Sequence, residues 1–330
     1  MQRSSPARLV DTAILVLGAQ RSGTSWLGKI LDSHPDVLYR HEPDELQPRV
    51  TGSDAASVRT AVQAWIAERH PRSAAKRPFF RKSWQGNAAF ALRGAVVYGL
   101  AAAERLPGIG RAFQAATVPD FGDIGRARIA IKSISGCDLA GDFARALPDS
   151  RTLLILRHPC GQVASVMRGN QARRFALREA GTDMPFDEAQ AVAFAARHGV
   201  TDAAFQALPD AAKYAWSWRA FNETAFAALD GLPNALVVVY EDLCARPEPA
   251  SRALLTFAGL DWTPQTAAFL ARSTSHAGAT GYYAVLRVSS EAAEAWRTRM
   301  QAADQAAVRA VVAGSPLLRF WPDPASVART

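Results

Sequence analysis

Cysteine is scarce in this chain: three residues among 330, at positions 137, 160 and 244. So few, odd in number and widely spaced, they make neither a disulfide framework nor a metal motif. They fit a reducing, cytoplasmic setting. No apolar run reaches the ~20 residues of a membrane span. Ala88–Leu106 comes nearest, but it carries Arg93, Glu104 and Arg105. It reads as a core or lid helix, with peripheral membrane contact left open. Residues 1–11 are polar and show no secretory leader. There is no internal repeat and no low-complexity tract, and residues 1–10 and 322–330 read as tails. Acid is in deficit: 38 Lys and Arg against 30 Asp and Glu leave a net charge of +8. That excess calls for an anionic partner. The basic residues are scattered and no nucleic-acid motif accompanies them, so nucleic acid is not the expected one.

What is present is a series of short apolar runs. Ala13–Leu17, Arg128–Ile131, Thr152–Leu156 and Ala235–Tyr240 read as buried strands, with Val37–Tyr39 a shorter fifth. Helical stretches separate them. This predicts an α/β fold: a P-loop-like parallel central sheet flanked by helices. Residues 1–330 read as a single domain, with a core over about 12–43, 127–169 and 234–300. Two long insertions, about 44–126 and 170–212, are expected to be helical and to shape a second pocket.

The first strand runs into Gly18-Ala19-Gln20-Arg21-Ser22-Gly23-Thr24-Ser25-Trp26. The glycines bracket four residues, as in the nucleotide loop G-x-x-x-x-G-K-[ST]. Thr24 stands where that loop keeps its lysine, and Ser25 where it keeps its magnesium ligand. A triphosphate site needs the lysine to neutralise charge. Without it, backbone N–H groups and the helix dipole still suit an anion, though an ordinary strand–helix turn would read the same. A second strand, Thr152–Leu156, delivers Arg157 at its end; Pro159 suits a first helical turn and Ser165 lies eight residues on. An arginine and a hydroxyl at a strand's carboxyl end make a charge-assisted grip on phosphate.

These two blocks resemble the sulfotransferase superfamily, which uses 3′-phosphoadenosine-5′-phosphosulfate (PAPS). A weaker match is Val237-Val238-Val239-Tyr240-Glu241-Asp242-Leu243. The resemblance implies that Arg21, Ser22, Gly23, Thr24, Ser25 and Trp26 hold the 5′-phosphosulfate, and that Arg157 and Ser165 hold the 3′-phosphate. Arg287 and Arg297 are further candidates for that phosphate. The reaction implied is sulfuryl transfer to a hydroxyl of a sugar, glycolipid or natural product, with no metal required.

Such a transfer needs a base, charge stabilisation and in-line geometry. Arg40-His41-Glu42-Pro43 follows the short strand, and the resemblance to carbohydrate-type and bacterial members makes Glu42 the candidate base. His41 competes, because an imidazole titrates nearer neutral pH. Strand neighbours point to opposite faces, so one of the two is expected to face the donor. Lys132 ends the strand at 127–133, and the resemblance places it near the bridging oxygen. The cytosolic branch has a histidine base two residues further on; here that residue is Ile134. Arg21 is assigned charge stabilisation. Two other readings stay open: a divergent P-loop kinase or NTPase, and a non-catalytic nucleotide-binding protein.

Overall fold

Five short aliphatic runs form one sheet in the computed structural model, which describes residues 6–47, 54–103, 116–171, 188–275 and 293–322. In chain order the elements are α1 (Pro6–Asp11), β1 (Ile14–Leu17), α2 (Thr24–Asp32), β2 (Val37–His41), α3 (Ala55–Ala67), α4 (Pro71–Ala74) and α5 (Asn87–Ala103). Then come β3 (Arg128–Ser133), α6 (Ala140–Ala146), β4 (Arg151–Leu156), α7 (Pro159–Gln171), α8 (Glu188–Ala196), α9 (Asp202–Gln206) and α10 (Asp210–Leu229). The last part holds β5 (Ala235–Val239), α11 (Tyr240–Ala245), α12 (Pro247–Phe257), α13 (Pro264–Ser275), α14 (Trp296–Arg299) and α15 (Ala302–Val312).

The strand order is β2-β3-β1-β4-β5, and every pairing is parallel. The expected α/β architecture is therefore the observed one. Leu17 registers with Ser133 on one side and Leu154 on the other, so the strands end along a common edge. The chain leaves β1 toward the β2 edge and leaves β4 toward β5. These connections diverge between β1 and β4, which is where open parallel sheets bind ligands.

Alternation along the strands builds two cores. Leu15, Leu17, Ile129, Ile131, Leu154 and Leu156 pack against Val62 of α3, Phe143 of α6 and Trp218 of α10. Ile14, Val16, Ala130, Leu153 and Ile155 face Leu27 and Ile30 of α2, Leu254 of α12 and Phe269 of α13. The same parity directs Lys132, Tyr39 and His41 to the α2 side, and Leu38 and Arg40 to the other.

Two expectations need correction. Residues 6–11 are not a tail but α1, and Leu9 and Val10 are buried with the α3 core. Six residues are too few to show a periodic pattern. The alanine-rich segment is a surface helix rather than a core one: α5 buries only Arg93 and Val97, while Leu92 and Tyr98 are more than half exposed. Alanine gives such a helix little area to bury.

Arg40 on the far face is fully buried. It donates to both Asp120 oxygens at 2.9 and 3.0 Å and to the Ile66 carbonyl at 3.1 Å. Arg69 reaches the same carboxylate at 2.6 Å. Burial lowers the Arg40 guanidinium to about 10, and Asp120 opposes that shift. Removing one partner of a buried pair strands the other charge. Asp120→Ala should lower the unfolding free energy by about 3–5 kcal/mol in a denaturant titration. A loss under ~1 kcal/mol would mean that the carbonyls alone satisfy Arg40.

Candidate active site

The loop between β1 and α2 lies too close to its neighbours for side chains at its glycines. A Cβ on Gly18 would sit 2.6 Å from Ser22 Oγ and 2.8 Å from the Ile155 carbonyl oxygen. Gly23 has φ +105°, and its Cβ would sit 2.5 Å from the Tyr240 ring. Gly23 caps α2 without a side-chain hydrogen bond. Gly23 therefore offers the first turn of α2 no side-chain acceptor; its carbonyl accepts from the Trp26 N–H at 3.0 Å, and the start of the helix still suits an anion. Ser22 Oγ is buried and has no hydrogen-bond partner.

The two arginines predicted from sequence meet at this loop. Arg157 Nη1 donates to the Arg21 carbonyl at 3.1 Å, and Arg21 Nε donates to Ser165 Oγ at 3.2 Å. Arg21, Arg157 and Ser165 thus form one cluster from the loop, the end of β4 and the face of α7. The Arg157 guanidinium lies 4.6 Å from the centre of the Tyr240 ring, and Trp218 Nε1 donates to the Arg157 carbonyl at 3.0 Å. Thr24 is buried and Ser25 half-buried at the start of α2. Trp26 turns away from the loop mouth: its indole donates to Ser273 at 3.1 Å and meets Tyr240 edge-on. Fit to a doubly phosphorylated donor is good. Two guanidinium groups, a hydroxyl, an orphan serine oxygen and a turn bounded by two glycines face one region.

The second group gathers at the ends of β2 and β3. His41 registers with Lys132, which registers with Val16 of β1. This corner therefore adjoins the loop. Alternation would send Glu42 to the face opposite His41. Instead Glu42 adopts φ 49° and ψ 47°, which swings it back. Its N–H donates to the Lys132 carbonyl at 2.7 Å, and its Oε1 forms an ion pair with Lys132 Nζ. His41 Nε2 stands 3.7 Å from the same oxygen. His41 and Glu42 thus converge, contrary to the expectation that only one faces the site. Among the described residues three non-glycines have positive φ, and Arg21 and Glu42 are two of them. Such conformations gather at functional sites. Just beyond, Ser133 Oγ donates to Asp44 at 2.6 Å, and burial raises the Asp44 carboxyl.

The sulfotransferase family model matches residues 13–264. The chain belongs to the sulfotransferase family. No curated protein matches it. Among solved structures, it is similar to the sulfotransferase domain of the Synechococcus PCC 7002 olefin synthase, with 16% identity over 95% of this chain and 96% of that one, TM-score 0.49. The sulfotransferase domain of the curacin biosynthetic pathway gives 15% identity over 92% and 97%, TM-score 0.44. Mouse sulfotransferase SULT7A1, complexed with PAP, gives 13% over 94% and 88%, TM-score 0.46.

In this sulfotransferase the wall behind Arg157 is aromatic. His158 stacks on Trp296, with ring centres 4.4 Å apart and planes 12° apart, and meets Trp321 edge-on. Glu241 accepts from the His158 N–H at 3.0 Å and from Trp321 Nε1 at 2.9 Å. Trp296 therefore has a packing role beside the cluster of Arg21, Arg157 and Ser165. Arg297 projects outward, mostly exposed and paired with Glu294. Arg287 lies outside the described residues. Trp216 and Trp218 of α10 are core.

Sequence reasoning missed Tyr240, Tyr39 and Asp44. Tyr240 stood inside a matched block without a role, and Tyr39 shares the period-2 face of His41. Asp44, two residues past Glu42, showed no pattern.

Burial, reinforced by Arg297, Arg309 and Arg157, pushes the His158 imidazole down to about 4. The unfolded histidine titrates near 6.5. Between these values the unfolded chain binds a proton that the folded chain does not. Stability therefore rises with pH across this window and is lost on acidification. The full span is on the order of 3 kcal/mol. Glu241, raised by burial, works in the opposite direction. In paired unfolding titrations at pH 7 and 4.5, His158→Gln should show a smaller acid-induced loss than the natural chain. Equal losses would assign acid sensitivity elsewhere.

Proposed function

We propose that this sulfotransferase moves the sulfuryl group of PAPS to a hydroxyl of a sugar, glycolipid or natural product, with Glu42 as general base. The observation that carries the reading is the Glu42–Lys132 ion pair at the ends of adjacent strands, beside the Gly18–Gly23 loop. A carboxylate and an ammonium there supply the two roles the chemistry needs. Glu42 takes the acceptor proton as the acceptor oxygen bonds to sulfur. The bond from sulfur to the bridging oxygen breaks, and its electron pair leaves with the bisphosphate. Lys132 and Arg21 stabilise the charge that develops on that leaving group. Arg157 and Ser165 hold the 3′-phosphate, and the α2 N-terminus receives the 5′-phosphate. The buried carboxyl of Asp44 and its Ser133 partner brace the turn that carries Glu42.

The acceptor classes rest on the Glu-Pro resemblance to carbohydrate-type and bacterial members. Phe79 and Phe90, in contact at 5.6 Å between ring centres, give the insertion an aromatic surface of the kind that sugars stack on.

Calorimetric titration with 3′,5′-adenosine bisphosphate in EDTA, beside ATP with magnesium, tests the donor. Binding of the bisphosphate without metal and little binding of ATP is the expected outcome. The reverse would make the loop an NTPase loop. Bisphosphate binding with no turnover of PAPS across an acceptor screen would favour a non-catalytic binder. Arg157→Ala should weaken bisphosphate binding by roughly tenfold or more, the loss of one charged hydrogen-bond partner. Glu42→Gln should lower kcat by about 100-fold or more, in the range of general-base contributions, with little change in bisphosphate affinity. Equal effects of both substitutions on both parameters would overturn this division of roles.

A further inference from the structure

Behind Glu42 lies a residue that the functional reading does not use. Tyr39 is 5% exposed, and its hydroxyl lies 2.9 Å from His41 Nδ1. It stands two residues before His41 on β2, so both side chains leave the same face of the strand. The ring is pressed against α2. A Cβ on Gly28 would sit 2.6 Å from Tyr39 Oη and 2.8–2.9 Å from two ring carbons. Glycine in a helix interior is destabilising relative to alanine. Gly28 thus leaves the room that the Tyr39 hydroxyl occupies. Lys29 Nζ lies 4.9 Å from the Tyr39 ring centre, held by Asp32 at 2.6 Å and the Lys76 carbonyl at 2.6 Å.

The direction of the Tyr39–His41 hydrogen bond follows from what each end can do. A phenol can donate or accept. If it accepted from Nδ1–H, its own hydroxyl proton would be left buried without an acceptor, which is costly. Burial, together with the charges of Asp32 and Glu42, raises the phenol well above its ordinary range, so the proton stays on. Tyr39 therefore donates, and Nδ1 accepts. In a neutral imidazole the remaining proton is then on Nε2. That nitrogen faces Glu42 Oε1 at 3.7 Å, the oxygen that also receives Lys132.

We propose that Tyr39, admitted by Gly28, is a positioning residue that fixes the His41 tautomer. Its hydroxyl keeps the His41 proton on Nε2, aimed at Glu42. His41 is then a donor toward the carboxylate and not a second base. Its only unprotonated nitrogen is occupied by Tyr39 on the side away from Glu42. The tautomer itself stands whatever the reaction is; its catalytic consequence rests on reading Glu42 as the base.

The test is nitrogen NMR of the full chain labelled at histidine, with no donor or acceptor present. His41 is assigned by the signals lost in His41→Gln. The expected pattern is a protonated Nε2 and an unprotonated, hydrogen-bonded Nδ1. In Tyr39→Phe, which keeps the ring and loses only the hydroxyl, the Nδ1 signal should shift and the tautomers should mix. Gly28→Ala should produce the same shift by displacing the hydroxyl. A protonated Nδ1 in the natural chain, or an unchanged His41 spectrum in Tyr39→Phe, would overturn the inference. Kinetics give a second reading on PAPS with a hydroxyl acceptor. His41→Gln, which retains an N–H donor, should keep more kcat than His41→Ala. Equal and complete loss in both would make His41 the base and sink the positioning role. Failure of bisphosphate binding with the tautomer as expected would remove the proposed function and leave the Tyr39 inference standing.

Discussion

A β-carbon at Gly18 would collide with the Ile155 carbonyl, and one at Gly23 with the Tyr240 ring. These two close approaches set the path of the loop between β1 and α2. The loop is pressed against β4 and the start of α11, and Arg157, at the end of β4, then lies within reach of the Arg21 carbonyl. Arg21 takes a left-handed conformation there and extends to Ser165. One steric constraint therefore brings three segments, far apart in sequence, to a single basic cluster. The head of α2 lies on the same side, because the loop feeds directly into it.

The corner where His41, Glu42 and Lys132 meet depends on a second local departure from regular structure. Along β2, alternation separates Arg40 from His41: one goes to the buried Asp120 pair, the other to the α2 face. Continued alternation would carry Glu42 away with Arg40. The left-handed turn at Glu42, tied by its N–H to the Lys132 carbonyl, returns the carboxylate to the His41 side. Both non-glycine strains at the site thus have a visible compensation. Arg21 gains Ser165 as a partner, and Glu42 gains Lys132. Conformations costing about 1–3 kcal/mol each persist only when such contacts over-determine them.

Much of this was readable in the sequence, for specific reasons. Strands buried on both faces show as unbroken aliphatic runs, and all five candidate strands exist within a residue or two of their expected limits. The loop was legible because glycine spacing is a local property. The Arg157–Ser165 pair was legible because both sit in one strand–helix unit. The insertions were legible as helical but not in how they pack, because alanine-rich helices carry little periodic contrast; α5 turned out to lie on the surface. The helix α1 was too short to show a pattern.

By itself, the sequence determined the sheet, the glycine-bounded loop, the absent lysine and the family to which these belong, since each depends on residues close together in the chain. Only the tertiary structure decided that His41 and Glu42 meet on one side, that Lys132 pairs with Glu42, and that Tyr39 stands behind His41 in space left by Gly28. Those facts depend on the left-handed backbone at Glu42 and on the distance between α2 and β2. Neither is encoded by any short run of residues. Both follow from how closely the packed layers approach one another.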